Sequence, residues 1–299
     1  MGRTLTIIII MLITVFTPTY NRAYTLSNLY KSLCEQIQKD FEWLVVDDGS
    51  FDNTRDLIAG FQKEKIINIK YYKVENGGKH RAINYGVRMA SGEAFFIVDS
   101  DDTLPKDAIT TIETYFKNIQ DKNDIAGVSG FRMTPNGKKI GGGNYSQIDT
   151  DSVSIREKYH VKGDMAEVFK TAVLREYPFP SFEGEKFITE EAVWSQIAQK
   201  YKLRYFYKGI YCCEYLADGL TKNIRKQHRN SPLGTMYAYR LFMKQRRCLR
   251  TKVISAINYW RYTWIYKKTR PSDLCPPFWA YAFYPLGIVF YYIDIRKEK

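Results

Sequence analysis

The sequence FFIVDSDD at residues 95–102 joins a short apolar run to a cluster of acidic residues that follows it directly. A run of this kind, bounded by turn-forming residues, is typical of a strand buried on both faces, as in a parallel sheet. Strand-like and helix-like patterns alternate around it, from residue 12 to about residue 130. This alternation predicts βαβ units and an α/β fold with a mainly parallel sheet flanked by helices.

Two periodicities locate the elements of this sheet. Runs rich in β-branched and aromatic residues predict strands at 12–17, 41–46, 66–74, 94–98 and 125–129, with one or two more in 202–215. Apolar residues at helical spacing predict helices at 24–38, 54–63, 78–89, 105–119 and 190–199. Residues 131–159 follow neither pattern and contain three consecutive glycines, which predicts hairpins or a loop.

Polar clusters follow three of the predicted strands. They are TPTYNR at 17–22, DDGS at 47–50 and DSDD at 99–102. In parallel sheets, ligands bind beyond the carboxyl ends of the strands. We therefore expect the functional site at this edge of the sheet.

Asp99 and Asp101 give the sharpest chemical signal at that edge. Two carboxylates at i and i+2, in a turn after a buried strand, are able to share a hard divalent cation. Mg²⁺ typically takes one or two protein carboxylates and completes its shell with phosphate and water. Such an ion would neutralise the charge of a leaving diphosphate. The alternative is an acidic loop that caps the following helix.

Two further segments suit a nucleotide. Asp48, after the second strand, is placed to accept hydrogen bonds from a base N–H or a ribose hydroxyl, or simply to shape a turn with Gly49. The segment NGGKHRAIN at 76–84 begins a predicted helix with glycines, free amides and cations, a composition that suits phosphate contact. Taken alone, this second segment is also compatible with a solvated turn.

Together these segments resemble the family 2 glycosyltransferases of the GT-A fold. The matching motifs are TVFTPTYNR at 14–22, FEWLVVDDGSFDNT at 41–54, NGGKHRAINYG at 76–86 and FFIVDSDD at 95–102. The similarity covers about residues 12–220. It implies an inverting transferase that uses a nucleotide-diphosphate sugar as donor, expected to be a UDP-sugar, and Mn²⁺ or Mg²⁺.

The resemblance also implies roles for individual residues. Those expected to contact the nucleotide sugar are Thr17, Pro18, Tyr20, Arg22, Asp48, Lys79, Arg81, Asp99 and Ser100. Asp101 is the expected metal ligand, together with Asp99.

An inverting displacement needs a base that removes the proton of the acceptor hydroxyl. Related enzymes often carry a Glu-Asp pair at a helix start, and the matching positions are Glu190 and Glu191. We expect Glu191 to be the base and keep Glu190 as the alternative, because acidic residues also simply favour a helix N-terminus. Asp164, in Lys-Gly-Asp, and Trp194 are expected near the acceptor or sugar, although Asp164 also suits a surface turn.

Two further features bear on the number of sugars added and on the metal ligands. The Q-x-x-R-W motif of processive relatives is missing before Trp194, which favours addition of a single sugar. Among the three histidines His80, His160 and His228, the last is a candidate third metal ligand, although an exposed histidine in a basic stretch is the commoner interpretation.

The first residues and the cysteines bear on location. The apolar run 5–16 is too short to span a bilayer, and no small-residue cleavage site follows it. It therefore predicts a buried first strand rather than a signal peptide. Met11 is a possible start of the protein. The five cysteines form no C-x-x-C pair, which indicates a reducing compartment.

Charge divides the chain unevenly. Residues 200–299 hold 21 Lys and Arg against 5 Asp and Glu, whereas residues 1–199 hold 24 against 27. We expect a GT-A domain at 1–225 and a helical, basic and aromatic segment at 226–299, with a long helical stretch at 236–268. Basic segments of this kind bind nucleic acid or an anionic membrane.

The predicted partners are therefore a nucleotide sugar, a glycan or lipid-linked acceptor and an anionic membrane surface, with no nucleic acid. The expected location is cytoplasmic, peripheral at the inner face of the cell membrane. Two alternatives remain open: a nucleotidyltransferase, and a basic nucleic-acid-binding protein. For residues 226–299 a helical appendage packed on the enzyme, or a transmembrane hairpin, also remains open.

Overall fold

The computed structural model describes residues 13–213, 224–266, 269 and 271–297. The start of the apolar N-terminal run, including Met11 and Leu12, lies outside the described residues, as do 214 and 215 at the end of the last predicted strand. The strands are β1 (Ile13–Thr19), β2 (Phe41–Asp47), β3 (Asn68–Lys73), β4 (Ala94–Ile97), β5 (Ile125–Met133), β6 (Ile148–Thr150), β7 (Met165–Lys170) and β8 (Lys202–Cys212).

Helices connect and cover these strands. They are α1 (Ala23–Cys34), α2 (Thr54–Glu64), α3 (Lys79–Met89), α4 (Ala108–Lys117), α5 (Ser154–Glu157), α6 (Thr171–Glu176), α7 (Glu191–Ile197), α8 (Ile224–Asn230), α9 (Pro232–Lys244), α10 (Leu249–Tyr266) and α11 (Tyr284–Lys297). Two 3₁₀ helices, Ser272–Leu274 and Phe278–Phe283, precede α11.

The eight strands form one sheet in the order β3-β2-β1-β4-β7-β5-β8-β6. Strands β1 to β4, β5 and β8 run in one direction, whereas β7 and β6 run antiparallel to their neighbours. The predicted α/β class with a mainly parallel sheet is confirmed.

Both faces of the central strands are buried, as the uninterrupted apolar runs predict. Side chains that alternate along β1 enter two hydrophobic clusters: Val15 packs with α1, α2 and α4 on one face, and Phe16 packs with α3, α6 and α7 on the other. The polar carboxyl edge lies between these two layers.

The structure differs from the expected elements in three places. Residues 131–159 contain the end of β5, the short strand β6 and α5. Strand β7 escaped prediction because Glu167 and Lys170 interrupt its apolar pattern. The predicted helical stretch at 236–268 is two helices, broken where Gln245 adopts an extended backbone, and 267 and 268 lie outside the described residues.

The C-terminal helices are anchored to the sheet domain by a buried carboxylate. Glu185 accepts hydrogen bonds from the amides of Leu233 (2.7 Å) and Gly234 (2.8 Å) at the start of α9. Ala238 and Phe242 of α9 then join the hydrophobic cluster on the α3 side of the sheet. The helical segment expected after residue 225 therefore shares a core with the domain before it.

His228 lies in this junction and is partly buried rather than exposed. Its Nδ1 atom is 3.0 Å from Oγ1 of Thr235, and its ring packs against Phe187, Tyr239 and Tyr262. Burial, together with the nearby charge of Arg261, lowers the pKa of His228 to about 4. The residue is therefore a neutral packing element of the junction.

We predict that His228→Phe removes part of the acid sensitivity of the fold. A histidine with a lowered pKa stabilises the folded state above pH 6.5, and that contribution is lost as the pH falls toward 4. Between pH 7 and pH 5 the variant should gain about 2 kcal/mol in free energy of unfolding relative to the wild type. Urea unfolding at both pH values measures this difference.

His160→Asn is the matched control, because His160 is exposed and its positive φ suits asparagine. This variant should keep the wild-type pH dependence. An unchanged pH dependence in His228→Phe would contradict the packing role.

Candidate active site

The carboxyl edge of the sheet gathers the predicted site residues from distant parts of the chain. Asp48 follows β2 and Asp99 follows β4, and they are joined there by Arg132, a residue not predicted from the sequence, near the end of β5. Because β7 runs antiparallel to β4 and β5, its start brings Asp164 to the same edge. Because β1, β2 and β4 run parallel, the three polar clusters predicted after these strands lie at one edge of the sheet.

Asp48 ties β2 to the start of α3. Its carboxylate is nearly fully buried and accepts hydrogen bonds from the amides of Gly77 and Gly78, each at 2.8 Å. Gly78 has a φ of +94°, and a Cβ there would lie 1.9 Å from the carbonyl oxygen of Lys186. Burial raises the pKa of Asp48, and the two amides offset part of that effect. Asp48 thus fixes the loop from which Lys79 projects.

Lys79 joins two acidic residues from different elements. Its Nζ atom lies 2.5 Å from Oδ1 of Asp99 and 2.8 Å from Oε1 of Glu190. Although burial works in the opposite direction, the two carboxylates raise the pKa of Lys79. In Asp99, burial is likewise outweighed, because the charges of Lys79 and Arg132 lower its pKa. The three side chains form a charged centre in which every ion has a partner.

Asp101 differs from Asp99 in the direction in which its pKa is shifted. Burial and the negative charge of Asp99 raise the pKa of Asp101. The same two causes raise the pKa of Asp102 to about 7, even though Asp102 accepts a hydrogen bond of 2.6 Å from the Tyr211 hydroxyl. Three carboxylates within four residues thus repel one another, and added positive charge would relieve that repulsion.

Asp99 and Asp101 fit a hard divalent cation on this ground. Their oxygens are the ligand type that Mg²⁺ and Mn²⁺ prefer, and the raised proton affinity of Asp101 marks an uncompensated negative charge. Within the described residues, no group of three His, Cys, Asp or Glu side chains is arranged to hold a metal. Mg²⁺ typically takes one or two protein carboxylates and completes its shell with phosphate and water, so a pair of carboxylates is compatible with such an ion.

Sequence reasoning missed Arg132. Its guanidinium lies 4.4 Å from the centre of the Tyr211 ring, and its Nε donates to the carbonyl oxygen of Met165. Burial opposes the charge, but Tyr211 and Asp99 raise the pKa of Arg132. The signal that could have found it is an arginine at the end of a strand on the carboxyl edge, in a segment that was interpreted as a loop.

The two candidate bases point to different partners. Glu190 contacts Lys79, as described above, whereas Oε1 of Glu191 lies 2.8 Å from Nη2 of Arg247. The Glu191 side chain is 56% exposed, against 31% for Glu190, while the Arg247 side chain is buried and packs over Phe242. Only Glu190 is thus in direct contact with the charged centre.

The remaining predicted residues divide between the rim and the interior. Thr17 and Pro18 are buried in β1, where the Thr17 hydroxyl accepts a hydrogen bond from the Trp43 indole, and Ser100 is buried too. Tyr20 is exposed at the rim and meets the ring of Phe51 edge-to-face at 6.1 Å.

The side chains predicted next to the nucleotide or the acceptor have these contacts. Arg22 contacts the Tyr24 hydroxyl, and Arg81 donates to the carbonyl oxygen of Phe182 at 2.9 Å. Trp194 packs between Phe169 and Phe179, and Asp164 is exposed at the start of β7.

Comparison with known sequences identifies the family to which this chain belongs. The family described as glycosyl transferase family 2 matches residues 14–172, more than half of the chain. The chain belongs to glycosyl transferase family 2. The resemblance found in the four motifs is therefore confirmed.

Individual relatives match a shorter part of this chain. An uncharacterised glycosyltransferase of Rickettsia conorii is 38% identical over 113 residues, 38% of this chain and 18% of that protein. The GalNAc(5)-diNAcBac-PP-undecaprenol beta-1,3-glucosyltransferase of Campylobacter jejuni is 35% identical over 105 residues, 33% of each chain. The chain thus matches a third or less of the length of either relative.

Solved structures share the fold across most of the chain. Residues 1–349 of S. aureus TarS in complex with UDP-GlcNAc superpose with a TM-score of 0.62 at 17% identity, covering 92% of this chain and 78% of that chain. A mannosyltransferase of Pyrobaculum calidifontis, in complex with GDP-Man and Mn²⁺, gives a TM-score of 0.57 at 17% identity, covering 94% and 87%. The GT-A fold expected from the sequence is confirmed.

We predict that Asp48→Asn destabilises the glycosyltransferase fold. The asparagine amide nitrogen is unable to accept a hydrogen bond, so one of the two glycine amides loses its buried partner, at a cost of about 1–3 kcal/mol. Urea unfolding measures the loss. Asp56→Asn, at an exposed position in the first turn of α2, is the control and should stay within about 0.5 kcal/mol of the wild type. Equal stability of the two variants would contradict the linking role of Asp48.

Proposed function

We propose that this glycosyltransferase moves one sugar from a UDP-sugar to a hydroxyl of a lipid-linked glycan, with inversion, in a reaction that requires Mn²⁺ or Mg²⁺. The observation that carries the proposal is the contact of Lys79 with both Asp99 and Glu190, beside Asp101, at the carboxyl edge of the sheet. This arrangement places a cation site and a phosphate-binding cation next to Glu190, which adjoins the proposed base Glu191 at the start of α7. A single displacement requires these three groups together.

Exposed side chains at the rim of the site and one structural neighbour support a UDP-sugar as the donor. Tyr20 and Phe51 present two exposed aromatic rings next to the loop that follows β1, a surface on which a nucleobase would stack. Lys79 and Arg132 supply positive charge for a diphosphate. The TarS complex contains UDP-GlcNAc, which supports a uridine nucleotide here.

Asp101 and Asp99 would hold the metal ion. When bound, the ion supplies positive charge to the oxygens of the departing diphosphate. Lys79, which contacts Asp99, would supply a further positive charge for the phosphates. The charges of Lys79 and of Arg132, which is held over Tyr211, lower the pKa of Asp99 and favour its ionised form.

Glu191 is the proposed base, with Glu190 as a positioning residue. Glu190 is held by the Lys79 cation that also binds Asp99, which fixes the start of α7 against the donor side. Glu191 is the more exposed of the two, and its partner Arg247 comes from the C-terminal helices, on the side from which an acceptor would approach. The direct contact of Glu190 with the charged centre is the observation that favours the alternative assignment.

The acceptor and the location are supported by one relative and by charge. The Campylobacter relative is named for transfer to an undecaprenol-linked glycan. The surplus of Lys and Arg in residues 200–299 would attract the enzyme to an anionic membrane, where such acceptors lie. We therefore propose a peripheral location at the cytoplasmic face of the cell membrane.

The reaction class is tested by its product. Purified enzyme, Mn²⁺ and a panel of nucleotide sugars should release nucleoside diphosphate with at least one donor. Release of pyrophosphate instead would indicate a nucleotidyltransferase and overturn the proposal.

We predict that Glu191→Gln lowers kcat by about 10²–10⁴-fold and leaves donor binding unchanged, because glutamine keeps the shape and does not accept the proton. Glu190→Gln should have a smaller effect on kcat and should raise the donor KM, because Lys79 loses one partner. Steady-state kinetics with a soluble acceptor separates the two parameters.

Arg247→Gln serves as the control for Glu191, since it removes the ion pair and leaves the carboxylate. It should cost far less activity than Glu191→Gln. The opposite order of severity between the two glutamate variants would assign the base to Glu190.

We predict that Asp101→Asn abolishes metal-dependent turnover without weakening the fold. Loss of one charged ligand at a leaving group costs on the order of 10²–10³-fold in rate. Removing a carboxylate whose pKa is raised by burial and by Asp99 should leave the melting temperature equal or higher. Titration calorimetry with Mn²⁺ measures the loss of metal binding, and thermal unfolding measures the stability of the fold. Near-native turnover in Mn²⁺ would refute the ligand role.

A further inference from the structure

The C-terminal helical segment leaves a large apolar surface exposed. Of the 19 large hydrophobic side chains exposed in the described residues, nine lie within the 16 residues from Phe278 to Ile293. We call this set the apolar face: Phe278, Trp279, Tyr281, Tyr284, Leu286, Val289, Phe290, Tyr292 and Ile293. Single exposed apolar residues are ordinary, but a patch of this extent marks an interaction surface.

The inner side of α11 is fixed to α10. A Cβ at Gly287 would lie 2.3 Å from Cβ of Trp260, so the two backbones approach closely at this glycine. Tyr284 packs against Trp260 with ring centres 5.0 Å apart, and Asp294 pairs with Arg261. Tyr284 is shared between this packing and the edge of the apolar face. The other members of the face on α11, which are Leu286, Val289, Phe290, Tyr292 and Ile293, lie on the opposite side of the helix.

We propose that the apolar face lies in the headgroup region of an anionic membrane, with α11 parallel to the membrane surface. The inference rests on the membrane location proposed above and gives it a surface and an orientation. Residues 278–293 contain no charged side chain, while residues 236–299 hold 13 Lys and Arg against 3 acidic residues. An uncharged aromatic face flanked by cations is the composition of an interfacial helix.

The helix geometry favours lying on the membrane over crossing it. The segment Phe278–Arg296 is long and apolar enough to cross by length and composition. However, its first six residues form a 3₁₀ helix, and α11 itself has 14 residues, about 21 Å of helix against a hydrocarbon core of about 30 Å. The neighbouring α10 carries Arg250, Lys252 and Arg261, so α11 would have to leave its partner in order to cross.

The test compares two double variants of the full chain. Phe278→Glu with Val289→Glu places two charges in the apolar face, at positions that are 92% and 52% exposed. Ile37→Glu with Ile66→Glu is the matched control, because these side chains on the transferase domain are 71% and 49% exposed. Both variants lose two exposed apolar residues and gain two negative charges.

Binding to vesicles of phosphatidylglycerol and phosphatidylcholine is measured by co-sedimentation. The wild type and the control should sediment with the vesicles at low salt. The affinity of the apolar-face variant for the vesicles should be lower by about tenfold or more. An alkaline carbonate wash should release the bound wild type. Transfer to a soluble acceptor should stay unchanged in the apolar-face variant, which separates this proposal from the proposed reaction.

Three results would overturn the proposal. Equal vesicle binding by the two double variants would remove the apolar face from the interaction. Retention of the wild type through the carbonate wash would indicate a spanning segment. A wild type that stays off the vesicles and forms a dimer, while the apolar-face variant is monomeric, would assign the face to a second copy of the chain.

Discussion

The hydrogen bonds from the Gly77 and Gly78 amides to the Asp48 carboxylate are the constraint on which the site depends. They satisfy two donors at the start of α3 with an ion that comes from the end of β2, so the helix begins at a fixed place above the sheet. The glycine at 78 is required there because its φ is positive and because a Cβ would overlap the carbonyl group of Lys186. The direction of Lys79 follows from these contacts.

Lys79 then decides the electrostatics of the carboxyl edge. Four acidic residues, Asp99, Asp101, Asp102 and Glu190, lie near one another, and a parallel sheet edge alone would not hold so much negative charge. Lys79 and Arg132 neutralise Asp99 and Glu190, whereas Asp101 and Asp102 keep raised pKa values. The negative charges of Asp99 and Glu190 are thus balanced by cations, whereas Asp101 and Asp102 favour added positive charge. That division suits a substrate that arrives with a divalent cation.

Sequence patterns predicted the parts of this arrangement that depend on local order. The strand β4 with its acidic turn, and the helix start at Lys79, follow from short-range periodicity and turn chemistry. The pairing of Lys79 with Glu190 joins residues 111 positions apart, and no local pattern encodes it. Strand β7 was missed for a related reason: its polar Glu167 is tolerated by tertiary packing that the pattern does not show. Arg132 was missed because its partner Tyr211 comes from β8.

The same long-range contacts connect the charged centre with the C-terminal helices. Lys186, packed on Gly78, neighbours Glu185, which caps α9 through the Leu233 and Gly234 amides. At the other end of α9, Arg247 pairs with Glu191.

Helix α10 begins two residues after Arg247, where Glu157 accepts hydrogen bonds from the Cys248 amide and the Thr251 hydroxyl. The α11 contact at Trp260 lies 11 residues further along α10, which corresponds to about 17 Å of helix. The proposed base thus contacts the connection just before α10, through Arg247, and the apolar face packs on the same helix at Trp260. An acceptor whose lipid lies in the membrane would meet Glu191 at a height that α10 determines, and not at one set by a flexible linker.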